Sequence, residues 1–514
     1  MKLQRNSLGW ALNYLYQVSD TDLFPRPIEI DVLKAIETDA IDAFEKIDLG
    51  NYSFGSARRF IVPKGETSYR TATQLDIIDT LFITAAIYEY GSQIENRRIP
   101  NRENKVFSYR FLPLTNSLYD QSITWVDFWN ACRRKAIDYD YIVCLDIADF
   151  YNQIYHHSIE NQLIESQFPN QLKEWIISML ESTTARVSRG IPVGPHATHL
   201  LAEMSLIPID NSMFYKGIDF CRYADDIIIF CNDYTQAKIV IYQIAEILDK
   251  QQRLILQKQK TKIYKNSIEF REYCSQMIQD RPINESERQV IALIKSHTQE
   301  NPYATVSLSR LSNEELQLFD QKNIELIIQE YLTSEDPNYS RLRWFLRRLS
   351  QIGTPAAVEY CINNINDLTP AISDVCNYLV AVTNNYSGNW KILGNNILNI
   401  LNSDLIKSNE FFQMTLLSLF VKNVKLNNIN QLIALYNNAS PSIKREIILS
   451  AYQANAIDWL RELKESYSGF DIWLKQAFIV ACKGLPEDEK RFFLDHAVED
   501  KTLMNLLKKW SKQR

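Results

Sequence analysis

The run Ile218-Asp219-Phe220-Cys221-Arg222-Tyr223-Ala224-Asp225-Asp226-Ile227-Ile228-Ile229-Phe230 sets two neighbouring acids between two apolar segments. Apolar segments of this length around a four-residue interruption predict strand, tight turn, strand, with both carboxylates at the turn. Two charges abutting a buried strand are costly unless something cationic neutralises them. A divalent metal such as Mg²⁺ does so well, because hard cations take carboxylate oxygens. The tetrad therefore points to phosphoryl transfer, provided that the rest of such a site follows in order.

Four further stretches supply it. Tyr141-Ile142-Val143-Cys144-Leu145-Asp146 is an apolar run of strand length that ends on an acid, with aromatic Phe150 and Tyr151 after it. Laid beside the Tyr223–Asp226 hairpin, it would bring three carboxylates together. That is what two metal ions about 4 Å apart require in order to stabilise the attacking and leaving oxygens of an in-line displacement. Arg189-Gly190-Ile191-Pro192-Val193-Gly194-Pro195-His196 precedes a helical run from Ala197 to Leu206. Its glycines and prolines let a backbone approach a flat substrate before the helix takes over. Phe60-Ile61-Val62-Pro63-Lys64-Gly65, followed by Tyr69-Arg70, reads as a strand and turn with two cations able to straddle a triphosphate. Last, Gln257-Lys258-Gln259-Lys260-Thr261 follows the apolar Leu254-Ile255-Leu256. A lysine here could protonate departing pyrophosphate.

The 514 residues suffice for two to four domains. Net charge is -6. Residues 1–280 carry 30 Lys and Arg against 36 Asp and Glu, and the remainder carries 26 of each, so neither part has the cationic surplus of a protein that grips a long duplex. The eight cysteines form no C-x-x-C pair and read as reduced core residues of a cytosolic protein. No apolar stretch approaches a membrane span. The chain changes character near residue 280. Before it, short strand-like runs alternate with helices. After it, helix follows helix, as in Glu314–Leu332, Tyr339–Gln351, Ala357–Ile365, Phe411–Val421 and Ile443–Gln453. Ile443–Ala451 is echoed thirty positions on by Trp473–Ala481; each is followed by a second helix, and the last begins at Leu485-Pro486-Glu487 with Pro486 in its first turn. Paired helices at such a period suggest a HEAT-like solenoid, with an irregular bundle as the alternative.

In their order, these five elements resemble the fingers and palm of reverse transcriptases over roughly residues 50–280. The resemblance implies that Asp146, Asp225 and Asp226 are the catalytic aspartates. With Ile147, they would hold two Mg²⁺ ions, for which Mn²⁺ can substitute. Lys64 and Arg70 would contact the phosphates of an incoming dNTP, and Tyr151 would be the bulky gate against a ribose 2′-hydroxyl. Pro192 and Gly194 would lie under the nascent base pair, and Lys260 would be the general acid. Leu145-Asp146-Ile147-Ala148-Asp149-Phe150-Tyr151 with Tyr155-His156-His157-Ser158-Ile159, and Trp10-Ala11-Leu12 with Asp20-Thr21-Asp22-Leu23-Phe24-Pro25, are similar to the bacterial abortive-infection reverse transcriptases of the AbiK type. That likeness implies a lead-in at 1–50, an α+β fingers and palm domain to 280, and an all-α HEAT-like domain over 281–514 in place of a thumb. It also implies protein-primed, untemplated synthesis of single-stranded DNA attached to the protein, homo-oligomers, defence against phage, and a place in the bacterial cytoplasm. The priming hydroxyl is unassigned; Tyr14, Tyr16 and Tyr52 lie in a plausible region. Val193 stands where many templated enzymes carry Gln or Thr, and Gln257 replaces the Asn of the last motif. Templated copying, as in retrons, and a helical scaffold with an inert palm are the rival readings.

Overall fold

The computed structural model describes residues 1–19, 23–278, 282–298, 308–333 and 337–513. Asp20–Asp22 of the N-terminal likeness and the 280/281 division lie outside the described residues. The chain forms two compact units. One comprises Met1–Thr21, Ile36–Arg58 and Thr73–Arg281; the other comprises Asp22–Ala35, Arg59–Ala72 and Pro282–Arg514. The second unit thus takes in two segments from the N-terminal part of the chain.

The first unit is built on a four-stranded antiparallel sheet. In chain order its strands are β5 (Tyr141–Asp146), β6 (Phe220–Tyr223), β7 (Asp226–Cys231) and β8 (Lys262–Tyr264), and across the sheet the order is β6-β7-β5-β8. Four other strands pair as hairpins: β1 (Arg58–Pro63) with β2 (Tyr69–Gln74), and β3 (Phe111–Leu114) with β4 (Ser117–Tyr119). Helices of this unit include α1 (Arg5–Val18), α2 (Ile77–Glu95), α3 (Trp125–Lys135), α4 (His196–Tyr215), α5 (Tyr234–Gln252) and α6 (Ser267–Met277). One face of the sheet, with Ile142, Cys221, Ile228 and Phe230, packs on a core containing Phe128, Trp129, Cys132, Phe270 and Cys274 from α3 and α6. On the other face, Val143, Leu145, Ile227 and Ile229 are equally buried, and α5 contacts β5 and β7. A sheet covered on both sides explains why β5 and β7 read as continuous apolar runs instead of alternating ones. All eight cysteines are free, and all but the half-buried Cys144 are buried.

Helix α2 carries two buried acids in its first turn. Asp76 caps it by accepting the Ile78 N–H at 2.9 Å, and Asp79 accepts the Gly55 N–H at 3.0 Å. Burial, reinforced by the charge of Asp76, pushes the Asp79 carboxyl up to about 7, although the nearby Tyr52 hydroxyl and the Gly55 N–H favour its charged form. The native state therefore holds this proton more tightly than the unfolded chain does. Between pH about 4 and about 7, this group's contribution to stability falls as pH rises, by on the order of a few kcal/mol. Asp79→Asn should raise the thermal midpoint at pH 8 and leave it near wild type at pH 5. Melting curves at the two pH values check this, and equal gains at both would contradict it.

The second unit is helical apart from the Arg59–Ala72 part of the β1–β2 hairpin. Its long helices α7 (Tyr339–Ile352), α8 (Ile372–Ala381), α9 (Glu410–Lys422), α10 (Pro441–Gln453), α11 (Ile472–Ala481) and α12 (Thr502–Ser511) pack in a row, each against the next. Shorter helices fill the intervals. The echoed segments Ile443–Ala451 and Trp473–Ala481 lie in α10 and α11 and face one another. Two local expectations change. The stretch read as one helix over Glu314–Leu332 is two, Asn313–Leu318 and Gln321–Leu332, because the Asp320 carboxylate accepts the Lys322 N–H and starts a new helix. Pro486 stands at the N-cap of Glu487–His496 and not in its first turn. Buried charges in this unit are paired: Arg445 makes two bonds to Glu29, at 3.0 and 2.7 Å, and Glu287 accepts from Arg341 and Tyr331, each at 2.6 Å. No helix among the described residues is long and apolar enough to cross a membrane.

Candidate active site

Strand pairing brings the backbones of the three aspartates together. In the β5–β7 ladder Asp146 sits directly opposite Asp226, the last pair of a register that runs back to Tyr141 opposite Cys231. Beyond the strand end, the Ile147 N–H donates to the Asp225 carbonyl at 3.1 Å, so the chain after β5 stays tied to the turn. Tyr223 pairs with Asp226 across β6 and β7, which leaves only Ala224 and Asp225 between them. Ala224 adopts the left-handed conformation (φ 51°) that so tight a turn demands.

The fourth member comes from the segment before β8. The Gln257 N–H donates to the Asp146 carbonyl at 2.8 Å and the Ala148 N–H to the Ile255 carbonyl at 2.9 Å, continuing the sheet beyond β5. A turn over Lys258–Lys260 then delivers the Lys260 ammonium onto the Asp146 carboxylate. Partial burial works against the charged ammonium. The bond to Asp146 and the fields of Asp146, Asp226 and Asp225 outweigh it, so the lysine pKa is raised. One cation thus answers to all three acids.

Among the described residues no three His, Cys, Asp or Glu side chains are grouped so as to hold a metal ion. The donor set nevertheless suits a hard divalent cation, being carboxylate oxygen throughout, and the cluster already accommodates positive charge in the form of Lys260. For Asp146 to become a ligand, its bond to Lys260 must loosen.

A buried ionic network holds the turn. Arg222 is 0% exposed, and the guanidinium donates to Asp210 Oδ1 and Oδ2 at 2.6 Å each, to Glu203 at 3.2 and 3.0 Å, and to the Ala224 carbonyl at 2.9 Å. Glu203 also receives Arg98 at 2.8 Å and the Ser108 hydroxyl at 2.7 Å. Both acids are buried and pay for desolvation, yet their pKa values move apart. Glu203 faces two guanidiniums and is lowered; Asp210 faces chiefly Arg222 and is raised. Arg222 itself is held firmly protonated, since the two acids outweigh its burial. Sequence reasoning missed this network. Its signal was the pair of acids seven apart on the otherwise apolar α4, together with an arginine inside an apolar strand.

The loop expected to underlie a base pair is fixed against Tyr151. The Ile191 N–H donates to the Tyr151 carbonyl at 2.9 Å, the Gly190 N–H to Ile154 at 2.8 Å, and His156 Nε2 bonds the Gly190 carbonyl at 2.9 Å. Gly190 (φ 103°) and Gly194 (φ 139°) take conformations that L side chains rarely adopt. The Thr198 hydroxyl donates to the Pro192 carbonyl at 2.8 Å, and the Val193 carbonyl accepts from Thr73 at 2.8 Å. Lys64 and Arg70 lie in the second unit, on the Arg59–Ala72 part of the hairpin, and both are exposed. The Lys64 and Gly65 N–H groups close its turn on the Ser68 carbonyl, at 2.8 and 3.2 Å.

Residues 62–273 match the model of the reverse transcriptase (RNA-dependent DNA polymerase) family. Residues 62–273 form a reverse-transcriptase domain. A largely helical region follows it, and the family's chemistry is nucleotidyl transfer in DNA synthesis. No curated protein matches the chain. Among solved structures, one similar chain is in the structure of telomerase from Candida albicans in complex with a TWJ fragment of telomeric RNA. It is 11% identical, with 68% of this chain and 67% of that one covered and a TM-score of 0.31.

Proposed function

We propose that this chain is a DNA polymerase of the reverse-transcriptase family that primes on itself, needs no template, and acts in abortive-infection defence against phage. The observation that carries the polymerase reading is the register of Asp146 opposite Asp226, with Asp225 tied to Ile147 and Lys260 seated on Asp146. In this reading Asp146, Asp225, Asp226 and the Ile147 carbonyl would hold two Mg²⁺ ions. Bound there, the ions supply positive charge to the triphosphate and acidify the attacking hydroxyl. Lys64 and Arg70 bind the phosphates of the dNTP, and Tyr151 limits the sugar to deoxyribose. A hydroxyl oxygen attacks the α-phosphorus. The new P–O bond forms as the bond to pyrophosphate breaks, and Lys260 Nζ gives its proton to the leaving group. A proton donor must be protonated at rest, as a lysine ammonium is at neutral pH. Lys260→Ala should lower kcat about a hundredfold or more, with less change in KM for dNTP, in steady-state incorporation assays.

Support for untemplated synthesis is chemical. Val193 offers no polar group in the loop beside Tyr151, and the net charge of -6 suits a single strand better than a long duplex. The row of stacked helices supports a HEAT-like repeat domain in the thumb's place, and the likeness around Asp146–Ile159 supports the defence role. Homo-oligomers and a covalently held product belong to the same reading. The second reading, templated copying, is favoured by the matched family's RNA-dependent activity. Purified protein incubated with dNTPs and Mg²⁺ alone separates the two. Polymer that survives boiling in detergent on the protein fits self-priming; polymer that forms only after RNA is added supports the templated reading.

A further inference from the structure

Tyr151 is held at both ends. Its carbonyl is bonded by Ile191, and its hydroxyl lies 2.7 Å from Nδ1 of His199, one turn into α4. The His199 ring stacks flat on Tyr109, with centroids 4.3 Å apart and planes at 13°. Tyr109 is itself fixed. Its backbone is left-handed (φ 43°), its carbonyl accepts from the buried Arg98 at 2.8 Å, and its ring meets Tyr119 and Tyr223. A side chain that rejects a 2′-hydroxyl does so by occupying volume, and it fails if it can rotate away. A ring pinned at its tip by a hydrogen bond to a rigid helix loses that freedom.

We propose that His199 is a specificity-determining positioning residue, which fixes the Tyr151 ring against the ribose 2′ position by holding its hydroxyl. The inference rests on the reading of Tyr151 as the sugar gate. Nδ1 of histidine occupies nearly the place of the amide group of asparagine, so Asn at 199 preserves a partner for the hydroxyl, whereas Leu preserves only bulk.

The test is single-nucleotide incorporation of dNTP and rNTP by the full-length chain with Mg²⁺, for wild type, Tyr151→Val, Tyr151→Phe, His199→Leu and His199→Asn. Tyr151→Val is expected to cut the dNTP:rNTP ratio of kcat/KM about a hundredfold. His199→Leu and Tyr151→Phe are each expected to cut it about tenfold, chiefly by lowering KM for rNTP, and His199→Asn to restore most of it. If Tyr151→Val relaxes selection but His199→Leu and Tyr151→Phe leave the ratio alone, or depress both nucleotides equally, the role of His199 is overturned and the gate stands. If Tyr151→Val leaves the ratio unchanged, the gate reading falls, and the inference falls with it.

Discussion

Asp225→Asn should abolish nucleotide incorporation, by at least about a thousandfold, while leaving the fold in place. The substitution keeps the side chain's size and removes only its charge. Asp225 serves the fold through its backbone carbonyl, which takes the Ile147 N–H, and the turn around it is held from below by the bond from Arg222 to Ala224. Neither bond involves the Asp225 carboxylate. What changes is the charge of the cluster, where Lys260 would face two acids instead of three. In the proposed reading, a site that neutralises a triphosphate through carboxylate-bound cations would lose one of its three carboxylate ligands. Incorporation within tenfold of wild type would contradict the reading, as would a thermal midpoint shifted by many degrees. In cells the same variant should lose phage protection together with DNA synthesis. Protection that outlived synthesis would favour the helical-scaffold alternative.

The parts of this site that could be read from the sequence are those whose signals are local. Tyr141–Asp146 and Ile227–Phe230 are β-branched and apolar runs of strand length, and each ends or begins at an acid. Antiparallel pairing then brings Asp146 opposite Asp226 with no further information. The Gly190–Gly194 loop announces itself by glycine and proline, and the helix after it by an apolar run. Harder to read were features made by distant pairing. Arg222 meets Asp210 twelve residues earlier, and Glu203 meets Arg98 from 105 residues away. Each residue taken singly looks like a surface charge; only the surrounding apolar pattern betrays burial. His199 and Tyr109 were invisible for the same reason, since stacking leaves no spacing rule. Ile28–Ala35, which clusters with the C-terminal helices, reads locally as one more amphipathic helix, because burial of Glu29 against Arg445 is a contact across 416 positions. The Glu314–Leu332 break was missed because the apolar period runs through it, and only the capping geometry of Asp320 separates the two helices.

Arg222→Met should destabilise the first unit by about 3–5 kcal/mol, the second large effect. The guanidinium is fully buried and serves five acceptor contacts on Asp210, Glu203 and Ala224. Methionine fills much of the volume but takes from Asp210 its guanidinium partner and leaves Glu203 with Arg98. The cost is therefore chiefly the stranded Asp210 carboxylate, not a cavity. Of the two, Asp210 already has its pKa raised by burial even with the arginine present, so it is the group that should take up a proton first. In the variant its native pKa rises further above the unfolded value. The native state then binds the extra proton, so part of the lost stability should return as pH is lowered toward 5. Adding Asp210→Asn should recover a comparable part at pH 8, because a neutral amide needs no counter-charge. Denaturant midpoints of the single and double variants at the two pH values test this. A loss below about 1 kcal/mol for Arg222→Met, or a double variant no more stable than the single one, would show that the network does not hold the strand. Activity provides the independent check. Recovery of stability in the double variant without recovery of synthesis is expected. The introduced methionine has no N–H to give the Ala224 carbonyl, and the bond that Arg222 makes there is one of those that hold the turn carrying Asp225 and Asp226.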